Sequence, residues 1–347
     1  MTTADRSPGR HPGVGRVRPG SGPPARLFNS AVASYAVVTA WEVGLLDEMR
    51  ASGRLDIPRF AREHDLHEPS VRAVLQALEW AEVVRVTDDA DEAKPGDAFA
   101  EVYATKGFFG WLLGGCGELL RTGGTVARGG SQGRARIRRD AGRIGTGTAD
   151  FGRQFIDPVL HRMLEEIDYT CVVDLGCGNG DRLVSAVLAR PGSRGVGVDI
   201  APDAIEAARR RVAEAGLLDR VALVEADARR LEPRPEFADV DLATCFLMGH
   251  DFWPREDCVA VLAGLRTVFP RLRDVALGDT YRSGEAPGPE LPILTLGFEY
   301  VHALMGRYVP SLDEWRDVFP DSGWRCHAEH DVTLPPNTKI FHLVPAC

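Results

Sequence analysis

The chain has 347 residues, with 41 basic and 50 acidic side chains and a formal net charge of -9. This acidic balance argues against a general nucleic-acid binder, whose surface is usually basic. No apolar run approaches the roughly 18–20 residues that a membrane span needs. The seven cysteines are scattered, which is typical of a protein of the reducing cytosol. We therefore expect a cytoplasmic protein that binds neither nucleic acid nor membrane.

The front of the chain predicts a tail followed by a helical domain. Residues 1–26 are rich in Gly, Pro and Arg, so we expect them to be disordered. In residues 27–53 apolar side chains recur at three- and four-residue steps, which predicts a helix that ends near Gly53. Helix, turn, helix and a short strand at 83–87 follow, in the order of a winged helix. Such a module recognises DNA or packs against protein; only Arg72 is basic in its second helix, which favours packing.

A Gly- and Arg-rich stretch, residues 121–150, separates the front of the chain from the rest. Its composition predicts a long connecting loop. An arginine in this stretch, such as Arg134, either stays solvated or closes over an anionic substrate, because a guanidinium can bind a carboxylate through two parallel hydrogen bonds. We place the first domain at residues 27–145, with this loop included.

From about residue 151 the sequence alternates between predicted strands and helices. Five short apolar runs have the length of buried strands: CVVDL, VGVDI, VALVEA, DLATCFL and DVALGD. Strands that alternate with helices predict an α/β fold with a parallel sheet covered on both faces. The end of the chain predicts two more strands around a turn, as an antiparallel edge. The second domain therefore covers residues 146–347.

The first of these strands runs into a glycine-rich turn, DLGCGNG, at residues 174–180. Gly176 and Gly178 permit a tight turn and let a ligand approach the backbone. Asp199 and Asp227 end the next two strands, where carboxylates can accept hydrogen bonds from ribose hydroxyls and from an exocyclic amine. Each aspartate alone is explained equally well as a strand-end cap. Together with the turn, they predict a nucleoside ligand that carries positive charge rather than phosphates.

DLGCGNG, GVGVD and EADA resemble the S-adenosylmethionine (SAM) binding motifs of class I methyltransferases. The resemblance implies that Asp174, Gly176 and Gly178 serve the methionyl part, that Asp199 binds the ribose, and that Asp227 lies beside the adenine. The order of a helical, winged-helix-like front and a Rossmann-like sheet resembles small-molecule O-methyltransferases that dimerise through their N-terminal domain. That resemblance covers residues 27–347 and implies a homodimer.

The stretch GHDFWPREDC, after the fourth strand, contains His250. This histidine is a general base, a metal ligand or a packed core residue. In the O-methyltransferases that the chain resembles, a histidine here, in a His-Asp-Trp run, deprotonates the acceptor hydroxyl. In this chain the run is one residue longer, and Asp279 and Arg307 stand where that family has the glutamates that orient the base. We therefore expect a base at His250 to lack its usual orienting partners.

A second histidine, His302, lies in the predicted helix FEYVHALMG. Taken alone, it is equally explained as a packed helical residue. Together, MGHDFWPRE and FEYVHALMG resemble the α-keto acid C-methyltransferases of peptide antibiotic biosynthesis. That resemblance implies that His250 and His302 bind a transition metal such as iron or zinc. It places Asp251 beside the reacting centre as the base, a third ligand or an orienting residue.

The activity implied by this resemblance is methylation of the β-carbon of an α-keto acid through a metal-stabilised enolate, in the synthesis of a nonproteinogenic amino acid. Two alternatives remain. One is a metal-free O-methyltransferase with His250 as general base. The other is a SAM-binding regulatory or structural homologue without activity.

Overall fold

The computed structural model describes residues 22–89, 91–134, 139–284, 286, 288 and 290–346. The chain divides into two compact units, Met1–Val102 and Tyr103–Cys347. The division lies earlier than the predicted boundary at residue 145, so the segment that precedes the sheet belongs with the sheet. Residues 1–21 of the predicted tail lie outside the described residues, and the first helix begins at Pro23.

The first unit contains helices and a small antiparallel sheet. Its elements are α1 (Pro23–Glu42), α2 (Leu45–Ser52), β1 (Leu55–Asp56), α3 (Ile57–Glu63), α4 (Glu68–Trp80), β2 (Val84–Val86) and β3 (Glu92–Pro95), with strand order β1-β3-β2. The helix predicted for residues 27–53 is two helices, because the chain turns at Gly44, whose φ is +78°. Gly53 ends α2 as predicted, with a φ of +72° that favours glycine.

A helical segment leads from the first unit into the large sheet. Its elements are α5 (Phe99–Phe109), a π-helical segment (Gly110–Gly115), α6 (Gly117–Arg121), α7 (Gly123–Arg134), α8 (Ala141–Phe151), a second π-helical segment (Gly152–Ile156) and α9 (Asp157–Glu166).

The prediction of a connecting loop at residues 121–150 is therefore wrong. Helix α8 begins at an N-cap, Asp140, whose carboxylate accepts a hydrogen bond of 3.0 Å from a backbone N–H in the first turn. Gly147 lies where α8 crosses α5 and the first π-helical segment. A Cβ at Gly147 would lie 2.7 Å from the Gly107 carbonyl oxygen and 2.7 Å from the Trp111 amide nitrogen. The glycine at this crossing serves close helix packing rather than chain flexibility.

The remaining elements form the α/β fold that the sequence predicts. The strands are β4 (Cys171–Leu175), β5 (Arg194–Asp199), β6 (Val221–Glu225), β7 (Leu242–Phe246), β8 (Asp274–Thr280), β9 (Trp324–Val332) and β10 (Thr338–Pro345). The helices are α10 (Asp181–Ala189), α11 (Pro202–Glu214), α12 (Arg255–Val268), α13 (Thr295–Met305) and α14 (Leu312–Asp321). Short 3-10 turns cover Ala228–Arg230, Pro235–Phe237 and Gly249–Phe252.

The seven strands have the order β6-β5-β4-β7-β8-β10-β9. Strands β4 to β8 are parallel to one another, and β10 is antiparallel to both β8 and β9, which confirms the predicted edge. All five residues of β4 are buried, as expected for a strand covered by helices on both faces. The strand order reverses between β4 and β7, and ligands of such sheets bind at the carboxyl ends of the strands at that point. None of the helices in the described ranges is long and apolar enough to cross a membrane.

A buried carboxylate fixes the start of β4 against β7. Asp241, which directly precedes β7, accepts two hydrogen bonds from the Thr170 amide at 3.0 and 2.9 Å and one from the Cys171 amide at 3.0 Å. The Thr170 hydroxyl donates a further bond of 2.8 Å to the same carboxylate. Two amides at the entrance to the central strand therefore depend on one side chain.

We expect Asp241→Ala to lower the free energy of unfolding by about 3 kcal/mol, since it leaves these amides without a charged acceptor. Asp239→Ala is the control, because Asp239 lies two residues away and forms exposed ion pairs with Arg194 and Arg271. Its loss should lower the free energy of unfolding much less than loss of Asp241, because exposed ion pairs contribute little. Urea denaturation measures both values, and equal effects would contradict this role of Asp241.

Candidate active site

A cavity of about 710 Å³ lies at the carboxyl ends of the central parallel strands. Its lining combines the predicted cofactor residues Gly176, Gly178, Asp199 and Asp227 with the two histidines and Asp251. All of its lining residues belong to the second unit. The structure thus brings the two groups of predicted site residues, which are far apart in sequence, into one space.

The glycine turn after β4 has the backbone conformation that its residues imply. Gly176 and Gly178 have φ values of +73° and +55°, and a Cβ at Gly176 would lie 2.6 Å from the Met248 sulfur. The Gly178 amide donates a hydrogen bond of 2.9 Å to Asp199 Oδ2. Asp199 therefore shapes the turn and also lines the cavity, and each of its oxygens has capacity for a further donor such as a ribose hydroxyl.

Asp174 is not among the residues that line the cavity, whereas Gly176 of the turn is. The Asp174 side chain is buried, and the Thr244 hydroxyl donates a hydrogen bond of 2.7 Å to Oδ1. Burial raises the pKa of Asp174 to about 6. This placement differs from the predicted direct role in cofactor binding and suits support of the turn.

Asp227 caps the short turn that follows β6 and lines the cavity together with Arg229. The Arg229 guanidinium contacts both carboxylate oxygens, with Nη2 at 2.7 Å from Oδ2 and Nε at 2.9 Å from Oδ1. This pair holds the pKa of Asp227 below its usual value. Any exocyclic amine that binds here would share the carboxylate with Arg229.

The two histidines meet inside the cavity. His250 lies in the turn after β7 and His302 on α13, and their Nε2 atoms are 3.1 Å apart. His250 Nδ1 lies 2.9 Å from Asp279 Oδ1, and His302 Nδ1 lies 2.7 Å from the Phe298 carbonyl oxygen. Both Nδ1 atoms therefore face acceptors and carry protons, which leaves a lone pair on each Nε2 of the neutral rings.

Two lone pairs that face each other repel unless a proton or a cation lies between them. Burial and, to a lesser extent, positive charge on His250 together lower the pKa of His302 to about 3. Burial also lowers the pKa of His250, but the adjacent Asp279 carboxylate outweighs burial and holds this pKa above its ordinary value. A proton on His250 or a metal ion at the two Nε2 atoms would remove this repulsion.

Asp279 orients His250, so the expectation that this histidine lacks an orienting partner is wrong. Asp279 is fully buried on β8, and its Oδ2 also accepts a hydrogen bond of 2.5 Å from the His250 amide. The approach requires Gly249, where a Cβ would lie 2.9 Å from Asp279 Oδ2. Two sequence features could have indicated this contact: a glycine directly before His250 and an acidic residue near the end of β8.

Asp251 lines the cavity beside His250, and its side chain is 38% exposed. Arg307 Nε lies 3.5 Å from Asp251 Oδ1. Among the described residues, no group of three or more His, Cys, Asp or Glu side chains is arranged to hold a metal ion. The predicted set of two histidines and one carboxylate is therefore not formed there. The two imidazoles remain a suitable donor pair for a transition metal.

The cation predicted to bind the substrate, Arg134, ends helix α7, and its side chain lies outside the described part of the chain. Sequence analysis missed Trp111, whose indole lines the cavity and packs on His302 and Phe298 with ring centroids 6.4 and 6.1 Å away. Nothing in the sequence near Trp111 indicated this contact, because it joins a π-helical segment to a helix about 190 residues later.

Comparisons with known proteins identify the enzyme family. A family model described as a methyltransferase domain matches residues 172–270. The methyltransferase ungE' of Aspergillus campestris is 41% identical over 331 residues, which cover 92% of this chain and 96% of that protein. The chain belongs to the class I SAM-dependent methyltransferases.

Two further similarities bear on this methyltransferase. The indolepyruvate C-methyltransferase of Streptomyces griseus is 31% identical over 320 residues, which cover 90% of this chain and 92% of that protein. The solved structure of the mitomycin 7-O-methyltransferase MmcR has a TM-score of 0.66 at 18% identity, and the match covers 93% of this chain and 96% of that one. This structural likeness shows the shared fold.

The raised pKa of Asp174 predicts a pH-dependent stability. The folded pKa of about 6 exceeds the ordinary value of 3.8, so ionisation disfavours the folded state as pH rises between these values. Relative to wild type, Asp174→Asn should gain up to about 3 kcal/mol in free energy of unfolding between pH 4 and pH 7, at about 1.4 kcal/mol per pKa unit. Urea denaturation at several pH values measures this gain.

Asp168→Asn is the control, since Asp168 is exposed and pairs with Arg190 near the start of β4. The pH-dependent gain in free energy of unfolding for Asp174→Asn should exceed that for Asp168→Asn over the same pH range. If the free energies of unfolding of Asp174→Asn and wild type differ by the same amount at pH 4 and pH 7, the pKa of Asp174 is not raised by burial.

Proposed function

We propose that this methyltransferase transfers a methyl group from SAM to the β-carbon of an α-keto acid, in the synthesis of a nonproteinogenic amino acid of the kind found in peptide antibiotics. The observation that carries the proposal is the 3.1 Å approach of the His250 and His302 Nε2 atoms inside the cavity. Two buried imidazoles that present lone pairs to one point suit a metal ion better than a hydroxyl substrate.

His250 and His302 would hold an ion such as iron or zinc, which when bound supplies Lewis-acid stabilisation of the negative charge that develops as the substrate loses its β-proton. Asp279 fixes the tautomer and ring orientation of His250 through Nδ1. The Phe298 carbonyl does the same for His302. The chain's own contribution is thus a pair of neutral, pre-oriented donors whose positions are set by β8 and α13.

Asp251 is the candidate base for the β-proton, since it lines the cavity directly beside His250 and is partly accessible. The glycine turn with Asp199 and Asp227 would hold the methyl donor at the other part of the same cavity. The cavity lining includes the apolar side chains of Trp111, Leu294, Phe298 and Met305, which suit the hydrocarbon part of a keto acid. Arg134, the arginine that the sequence predicts as a substrate contact, has its side chain outside the described residues.

The relative named indolepyruvate C-methyltransferase supports carbon methylation of a keto acid, because it matches this chain along nearly its whole length. Homodimerisation through the N-terminal unit remains part of the proposal and follows from the resemblance described above.

One observation favours a second candidate, a metal-free O-methyltransferase. Asp279 holds His250 as an acid partner holds a catalytic base, and it raises the pKa of this histidine. In that case His250 would take the proton of an acceptor hydroxyl. The contact of His302 Nε2 with His250 Nε2 weighs against this function, since it occupies the atom that would receive the proton.

Metal analysis together with a methyl-transfer assay tests the proposed function. We expect purified wild type to contain metal in near-stoichiometric amount and to methylate α-keto acids, with both lost in His302→Ala. A chelator should abolish the wild-type activity, and added metal should restore it. His161→Ala is the matched control, because His161 is a partly buried histidine bonded to Ser185 outside the cavity.

The opposite result would identify the second candidate. A metal-free wild type that methylates a hydroxyl, and that does not respond to a chelator, would overturn the proposal and leave His250 as a general base.

Asp279→Asn should weaken metal binding by roughly 10–100-fold, because the carboxamide that replaces the carboxylate is an uncharged acceptor for the His250 ring. Asp274→Asn is the control: Asp274 lies on the same strand and contacts His342 Nε2 at 2.7 Å, outside the cavity. Competition with a coloured chelator measures both affinities. Equal metal affinity in Asp279→Asn and wild type would argue against control of the metal site through His250 Nδ1.

A further inference from the structure

We infer that Arg307 receives the carboxylate of the substrate and that Asp251 is its resting partner, which the substrate displaces. The inference rests on the proposed function, since it takes the substrate to be an α-keto acid. It assigns a specificity-determining role to Arg307, whose side chain is described, whereas the side chain of Arg134 is not.

The backbone of Arg307 is tied to the residue that carries the second imidazole. Helix α13 ends at Gly306, whose φ is +68°, and the Arg307 amide donates a hydrogen bond of 2.8 Å to the His302 carbonyl oxygen. The chain therefore leaves the helix in a fixed direction, and Arg307 lines the cavity with His302. The Arg307 guanidinium, which lines the cavity, is therefore available to an anion placed beside the histidine pair.

The pairing of Arg307 with Asp251 is weak enough to be exchanged. It runs through Nε at 3.5 Å, and the two side chains are 46% and 38% exposed. Charge-assisted hydrogen bonds between guanidinium and carboxylate are shorter, about 2.7–2.9 Å, and often use two parallel bonds. A substrate carboxylate that offers this two-bond geometry would compete well for Arg307.

Other arginines of the cavity already have carboxylate partners near the cofactor residues. Arg182 pairs with Asp157 at 3.0 Å, Arg153 with Asp181 at 3.6 Å, and Arg229 with Asp227 at 2.7 Å. Arg139 also lines the cavity and acts electrostatically on both histidines, so it is the rival for the same role. Arg307 has the stronger case because its backbone is bonded to His302.

Competition between Asp251 and the substrate predicts opposite effects for two substitutions. Arg307→Gln removes the receptor for the carboxylate and should weaken binding. Asp251→Asn removes the competitor and should tighten binding. Once Arg307 is absent, loss of Asp251 should no longer tighten binding, so the two effects should not be additive.

The experiment uses the full-length, metal-loaded protein and benzoylformate, an α-keto acid without a β-hydrogen that therefore cannot be methylated. Isothermal titration calorimetry gives its Kd for wild type, Arg307→Gln, Asp251→Asn and the double variant, with metal content measured for each. We expect about tenfold weaker binding in Arg307→Gln, or about 1.4 kcal/mol. Asp251→Asn should bind up to about fivefold tighter, and this gain should vanish in the double variant.

Three further variants separate the possible causes. Arg282→Gln removes an exposed arginine that pairs with Glu314 at 3.3 Å outside the cavity, so it should leave the Kd unchanged. Arg307→Lys keeps the charge but loses the planar fork, so it should recover part of the affinity. Arg139→Gln should have a smaller effect than Arg307→Gln.

Tenfold weakening in Arg307→Gln with non-additive tightening in Asp251→Asn would establish the exchange. Unchanged binding in Arg307→Gln, or a larger loss in Arg139→Gln, would overturn the inference while keto acid binding, and so the proposed function, still stood. A metal-loaded wild type without affinity for benzoylformate would overturn both.

Discussion

The buried contact between Asp279 and His250 is the interaction on which the rest of the site depends. Asp279 is fully buried on β8 and accepts hydrogen bonds from the His250 ring and amide. A buried carboxylate is costly unless positive charge lies close by, so the site favours a proton or a metal ion on the far nitrogen of His250. The same contact fixes the direction of that nitrogen, which faces His302.

The cavity is lined by two kinds of element of the second unit: the ends of the parallel strands and the helical segments beside them. The ends of the parallel strands supply the glycine turn, Asp199 and Asp227, which follow from the α/β fold. The helical segment before the sheet and α13 supply Trp111 and His302, which line the same cavity. In our proposal the sheet edge holds the methyl donor, and the helical residues select the acceptor.

The sequence predicted the sheet, its antiparallel edge and the glycine turn because these depend on local patterns of apolar residues and glycines. It failed for residues 121–150, where a glycine at a helix crossing looked like part of a loop. It also failed for the partner of His250, because the approach of Asp279 depends on how β8 lies beside the turn after β7. Contacts that join distant segments, including Arg307 with Asp251, were out of reach of local patterns.

We propose that the methyl group is attached to carbon, beside a metal held by the two histidines. Nuclear magnetic resonance of the product made from SAM with a ¹³C-labelled methyl group tests this proposal, on a mixed panel of α-keto acids and phenols. We expect the label to appear as a methyl group on the β-carbon of an α-keto acid, and only with metal-loaded protein. A label found on oxygen, formed equally well after metal removal, would contradict it.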